Sequence, residues 1–234
     1  MSRLERPQSK SSNPATKFLT YKSETKNFEF WNKEKEIKEY LEAPLKFAFM
    51  EHYHAVKGWH DATQKGIVSN EVYNIGEEPM TVKTFGGLEI GKGLYKDIKD
   101  KTKLSGGVYH RSIYVMMEDG TIGNLQLKGA VVGGLSKDTA LSKIDIDGYS
   151  EFYKKNGRLL DNQWLVIQKF ADAKKGATKF SIPIFEIGDC FTAAENSEID
   201  RCAAILQDYI NEYKGKKVSE IEVLEPVVLD DLDF

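Results

Sequence analysis

Only two cysteines, Cys190 and Cys202, occur in this chain of 234 residues. So few thiols in a chain with no secretion signal exclude a disulfide framework, and their spacing fits no zinc pattern, so both read as ordinary thiols. No run approaches the roughly 18 to 20 apolar residues that a spanning helix requires. The N-terminal MSRLERPQSKSSNPATK lacks the apolar middle of a secretion signal. These absences leave no membrane-spanning helix and no signal to be read, and the expected locale is the cytoplasm. No G-x-S-x-G elbow is present, and no internal repeat recurs at a fixed period.

With 41% hydrophobic residues, the chain can bury a sizeable core. Its net charge of -3 is unevenly spread, because the stretch from Ser219 onward holds six acids and no Lys or Arg. Residues 1–218 therefore carry 33 bases against 30 acids. A mildly basic body with an acidic tail is a pattern of nucleic-acid interaction, although an acidic end also serves solubility alone.

Three segments follow from composition. Residues 1–16, rich in Ser, Pro, Gln and Asn, read as a disordered arm carrying Arg3, Arg6 and Lys10. Residues 17–214 read as the folded domain, and residues 215–234 as a flexible acidic tail. Within the domain, KFLTY and NFEFWN flank KSETK as a hairpin, and LKFAFMEHYHAV predicts a long strand. Further strands are predicted over residues 80–85, 108–117, 121–128, 163–170 and 178–187, with Asp119–Gly120 in EDGT as a hairpin turn. Helices are expected near GLYKDIKDKTK, over residues 148–155, and from Glu198 to Tyr213. Ser197, with Asp200 three positions on, reads as the start of the last helix and Gly215 as its close. Many short strands with a few helices indicate a barrel or sandwich core, into which Phe47, Phe49, Trp164, Phe180 and Phe185 are assigned.

Two motifs bear on catalysis. MEHYHAVKGWHD gathers His52, His54 and His60 beside Glu51 and Asp61. On a strand His52 and His54 share a face, with Met50 and Val56 on that same face, which makes a metal site an alternative. GGLEIGKG gives Gly86, Gly91 and Lys92 the spacing of a phosphate loop, but Gly93 stands where Ser or Thr would hold magnesium. That motif reads instead as a flexible turn bringing Lys92 and Lys96 towards a ligand backbone.

Aromatic and basic residues are interleaved along the strands and loops. Trp31 lies beside Lys33 and Lys35; Lys57 precedes Trp59 and His60; Tyr73 follows; Lys83 and Phe85 share a strand face, as do His110 and Tyr114. Single-stranded DNA requires this mixture, cations for phosphates and open rings for bases. Trp59 stands out because KGWHDATQKG is polar on both sides and reads as a loop.

The chain closes on VVLDDLDF. Acids followed by a final Phe234 resemble the C-terminal tip of single-stranded-DNA-binding proteins, including those of tailed bacteriophages. KFLTYKSETKNFEFWN, GWHDATQKGIVSNEV and GLYKDIKDK resemble phage members of that family. Leu232 interrupts the acidic run, and Asp233 stands where bacterial members carry Pro.

The resemblance implies an OB-fold-like barrel with additional strands, a mainly β fold with a few appended helices including one near the C-terminus. It also implies a non-enzymatic role in DNA replication and recombination, without a cofactor, in the host cytoplasm if the source is viral. Trp31, Lys57, Trp59, His60, Tyr73, Lys83, Phe85, Lys92, Lys96, His110 and Tyr114 are the expected DNA contacts. Asp230, Asp231, Leu232, Asp233 and Phe234 would recruit a polymerase, helicase, primase or nuclease. Oligomeric state stays open. The alternatives are a metal-dependent nucleic-acid enzyme using His52, His54 and His60, and a β-rich viral structural protein.

Overall fold

The polar KSETK does join a hairpin, of β1 (Lys17–Lys22) and β2 (Asn27–Asn32). The computed structural model that shows this describes residues 12–136, 145–175 and 177–215. β3 (Ile37–Glu42) adds to β2. Then comes β4 (Leu45–His60), which serves as the spine. Along most of its length β4 pairs with β8 (Gly107–Met117). Its other edge meets β10 (Gln163–Lys175) at the start and β5 (Lys65–Ser69) at the end.

β6 (Met80–Thr84) and β7 (Glu89–Gly93) extend the sheet beyond β5. β9 (Ile122–Lys128) lies between β8 and β1, parallel to the latter, and β11 (Thr178–Cys190) pairs with β10. The order is β3-β2-β1-β9-β8-β4-β5-β6-β7, with the β10–β11 hairpin branching from β4. Among the described residues four helices are appended: α1 (Tyr95–Leu104), α2 (Ala130–Gly133), α3 (Tyr149–Asn156) and α4 (Ala193–Gly215). The protein is thus mainly β with a helix near the C-terminus. Among the described residues no hydrogen-bonded ladder closes this sheet. β1 approaches β11 through side chains, the Tyr21 hydroxyl lying 2.6 Å from Ser181 Oγ.

Alternation along the strands sorts the cores onto two faces. One face carries Leu19, Phe28, Phe47, Ile113, Val115 and Leu125 under α2, α3 and the β10–β11 hairpin. On the same face Val56, Ile67, Val82 and Ile90 pack beneath Ile98 of α1. The other face carries Ala48, Tyr53, Tyr114, Met116 and Ile122, covered by Cys202, Leu206 and Ile210 of α4. Each fully buried large side chain such as Phe47 contributes about 1.5–3 kcal/mol relative to exposure. Gly120 adopts φ 74° in the EDGT turn, a conformation glycine reaches without steric cost.

Several expectations need correction. β4 does not end before Trp59: it continues through His60, so Trp59 is a strand residue paired with Gly66. A register shift between Phe49 and Glu51 marks a bulge, which puts Met50 on the α4 side while His52, His54 and Val56 face the other way. Helix α4 starts before Ser197, whose Oγ donates to the Ala193 carbonyl inside the helix. The true capping box is Thr192 with Glu195, in which the Thr192 N–H donates to Glu195 Oε2 at 2.7 Å and the Glu195 N–H to Thr192 Oγ1 at 3.3 Å. Residues 13–16, read as part of the arm, pack on the sheet: Ala15 is buried and the Thr16 N–H donates to the Ile122 carbonyl at 2.9 Å. Residues 1–11 and 216–234, which include the acidic tip, lie outside the described residues. Cys190 and Cys202 are free thiols.

Candidate nucleic-acid interface

Directly paired residues of neighbouring strands project from the same face, so the register decides which side chains meet. Lys57 is opposite Val108 on one side and Val68 on the other, and Val68 is opposite Lys83. Val108, Lys57, Val68 and Lys83 therefore form one row across four strands. The neighbouring row begins with Trp59 opposite Gly66. There the Phe85 N–H donates to the Gly66 carbonyl at 2.9 Å, and the Phe85 ring covers the glycine. A Cβ on Gly66 would stand 2.3 Å from Phe85 Cε2, so the ring occupies space that only glycine leaves open. One position further out, Lys92 is opposite Thr81. Lys57, Trp59, Lys83 and Phe85 are half-buried and Lys92 is exposed.

This is the outer side of the β5–β6–β7 extension, whose inner side is sealed by α1. It continues the face that α4 covers at its centre. Lys57 lies at the junction, its Nζ 5.7 Å from the centroid of the Phe18 ring. Burial lowers the Lys57 pKa, and the charge of Glu71 acts in the opposite direction. In the next row His110 is opposite both Ala55 and Lys128. Burial drives the His110 pKa down to about 4, a bond to the Val108 carbonyl opposes this, and Lys57 and Lys128 lower it further. His110 is therefore neutral near pH 7. Lys128 has its own pKa lowered, first by burial and second by Lys22.

The expected contacts divide accordingly. Lys57, Trp59, Lys83, Phe85 and Lys92 are brought together on one face. Tyr73 is exposed, with its ring 6.4 Å from Tyr53 at the margin of that face. Trp31 is paired with Lys38 at the far end of the sheet, four strand spacings from β4 or roughly 19 Å.

Four placements differ from expectation. Tyr114 is only 1% exposed, beneath α4, and cannot stack a base. Its hydroxyl donates to Glu71 Oε2 at 2.9 Å and accepts from Asn13 Nδ2 at 3.2 Å, while Ser112 Oγ donates to the other Glu71 oxygen. Tyr213 of α4 accepts from the Glu71 N–H at 3.2 Å, so the buried hydroxyls fasten helix to sheet. His110 is 8% exposed and also unable to stack. His60 projects from the side opposite to Trp59, its Nδ1 2.9 Å from Thr63 Oγ1. Lys96 stands on α1, over the other face, and does not join Lys92. Gly91 packs against Ile98 of α1, a Cβ there lying 3.3 Å from Ile98 Cβ, so the glycine-rich stretch serves helix packing.

Sequence reasoning missed Gly66, Val68, Val108 and Lys128, whose relevance comes from cross-strand register. The histidine cluster is divided as well. His54 Nε2 accepts from Arg111 Nη1 at 2.6 Å and its Nδ1 bonds the Tyr109 hydroxyl at 2.6 Å, so both nitrogens are engaged and a cation already stands beside the ring. No group of three or more metal-binding side chains occurs among the described residues, and no helix among them is long and apolar enough to cross a membrane. No protein-family model, curated protein or solved structure matches the chain.

Proposed function

We propose that the protein binds single-stranded DNA on the face built by β4, β5, β6 and β7, as a non-enzymatic component of DNA replication and recombination. The observation that supports this reading is the adjacency of two rows, one holding Lys57 and Lys83, with Glu89 beyond Lys83, and one holding the Trp59 and Phe85 rings. Phosphates would be neutralised by Lys57, Lys83 and Lys92, with release of counterions. Bases would stack on Trp59 and Phe85, each contact contributing about 1–3 kcal/mol and tolerating any sequence. Tyr73 would extend the ring series at the margin. The proposal also covers the likeness to phage single-stranded-DNA-binding proteins. In it, Asp230, Asp231 and Asp233 with Leu232 and Phe234 contact basic, apolar pockets of replication proteins.

A gel shift comparing single-stranded with duplex DNA tests the reading. Retention of the single strand at concentrations that leave the duplex free supports it. Absence of retention of either would favour a β-rich structural protein, whose rings are packing surface.

A further inference from the structure

The face opposite to the proposed DNA platform carries a second cluster that this function does not use. Between α1 and α3 the sheet floor is formed by His52 and His54 of β4 and by Arg111 and Tyr109 of β8. Tyr149 and Tyr153 of α3 flank His52, with the Tyr149 hydroxyl 2.9 Å from His52 Nδ1 and the Tyr153 ring 4.4 Å from the imidazole. Tyr95 of α1 packs on Tyr109 at 5.6 Å between ring centroids.

Arg111 is half-buried, yet no carboxylate lies within 4.0 Å of its guanidinium among the described residues. Its Nε is buried without a hydrogen-bond partner there. A guanidinium is always charged and carries five N–H donors, of which Arg111 uses one among the described residues. Burying a cation without an anion is costly, and cationic forks of this kind match phosphate oxygens.

The protons in the cluster have a definite order. Arg111 Nη1 can only donate, so His54 Nε2 accepts and the imidazole proton sits on Nδ1, where it donates to the Tyr109 oxygen. The Tyr109 O–H then has no acceptor among the described residues. Burial first and the charge of Arg111 second hold His54 near a pKa of about 4, and burial, Arg111 and His54 hold His52 near about 3. Both rings are therefore neutral at pH 7 and add no positive charge to that of Arg111, and the carboxylate whose charge reaches the flanking Tyr149 and Tyr153 is Glu51, which accepts the His52 N–H at 2.8 Å.

We propose that this cluster is an oxyanion site, taking a phosphate group on the spare Arg111 N–H donors and the Tyr109 hydroxyl. The inference is independent of the DNA platform, since it rests on the opposite face. A phosphate there would offset the charge of Arg111 that acts on His54, while the ring keeps its bonds to Arg111 and Tyr109.

The test is a titration of the full chain, with nitrogen-labelled histidine, by inorganic phosphate against chloride at equal ionic strength. The expected result is a saturable, phosphate-specific movement of the His52 and His54 signals, with His60 and His110 as internal controls. Arg111→Met should weaken phosphate binding about tenfold or more, the loss expected for a charged hydrogen-bond partner. Tyr109→Phe, which removes one oxygen and keeps the packing, should weaken it less and guards against a folding artefact. Adding oligothymidine to the phosphate-loaded protein separates two sources of the group. Displacement of phosphate assigns the site to a nucleic-acid backbone, and simultaneous binding assigns it to a separate phosphate compound. Equal signal movement in chloride, or unchanged phosphate affinity in both variants, would overturn the proposal.

Discussion

Trp59 of β4 stands directly opposite Gly66 of β5, so the strand position beside the indole has no side chain of its own, and the Phe85 ring fills that space. Two large rings thus lie in one row, separated by a glycine backbone, next to a row holding Lys57 and Lys83.

Gly66→Ala should displace the Phe85 ring, because the new Cβ would meet it at 2.3 Å. The ring can rotate outward, so the expected loss of stability is about 1–3 kcal/mol, the range for overpacking. Urea unfolding measures the loss, and oligonucleotide affinity should fall in the same variant.

The lysines and the rings should have separable effects on DNA. Lys83→Ala and Lys92→Ala should each reduce the slope of log affinity against log salt by about 0.7, the share of one phosphate contact on a single strand. Phe85→Ala should cost about 1–3 kcal/mol of affinity and leave the slope unchanged. Titrations at a series of salt concentrations distinguish the two outcomes.

Tyr114→Phe should act on stability and not on binding. It removes the hydroxyl that donates to Glu71 at 2.9 Å, a charged hydrogen bond of about 1.5–3 kcal/mol. A fall in the urea midpoint with unchanged oligonucleotide affinity is expected, since the residue lies beneath α4.

Acid should destabilise the fold through its histidines. Burial lowers His52 to about 3, His54 to about 4 and His110 to about 4, against an ordinary value near 6.5. Between those limits the unfolded chain binds more protons than the native one, so stability rises with pH across the window and is lost on acidification from about 6.5 towards 4. Urea midpoints measured from pH 7 down to 4.5 should fall progressively, and His110→Gln should flatten the decline.

The strands with strong apolar alternation were legible in the sequence: the β1–β2 hairpin, β6, β8, β9, β10 and β11. The Asp119–Gly120 turn and three helices were legible for the same local reasons. β3 escaped because its side chains are mostly exposed, leaving no hydrophobic period to read. β5 and β7 escaped because they are short and glycine-bearing, with identities set by pairing to longer neighbours. Trp59 looked like a loop residue because its chain neighbours are polar, while its strand partners lie elsewhere in sequence. The bulge at Met50 reversed the facing of that residue relative to His52 for the same reason, since bulges are a property of two strands. Residue types suited to DNA could be listed from the sequence. Separating Lys57, Trp59, Lys83 and Phe85 from Tyr114, His110, His60 and Lys96 required the register.

The most direct measurement is a tryptophan-fluorescence titration with oligothymidine at two salt concentrations, on the natural protein and on Trp59→Phe. If the Lys57–Trp59–Lys83–Phe85 face holds single strands, emission should be quenched on binding, affinity should drop steeply at the higher salt, and the quench should shrink markedly in the variant. Unquenched emission with no retention of the oligonucleotide, or an identical quench and affinity in Trp59→Phe, would contradict the assignment.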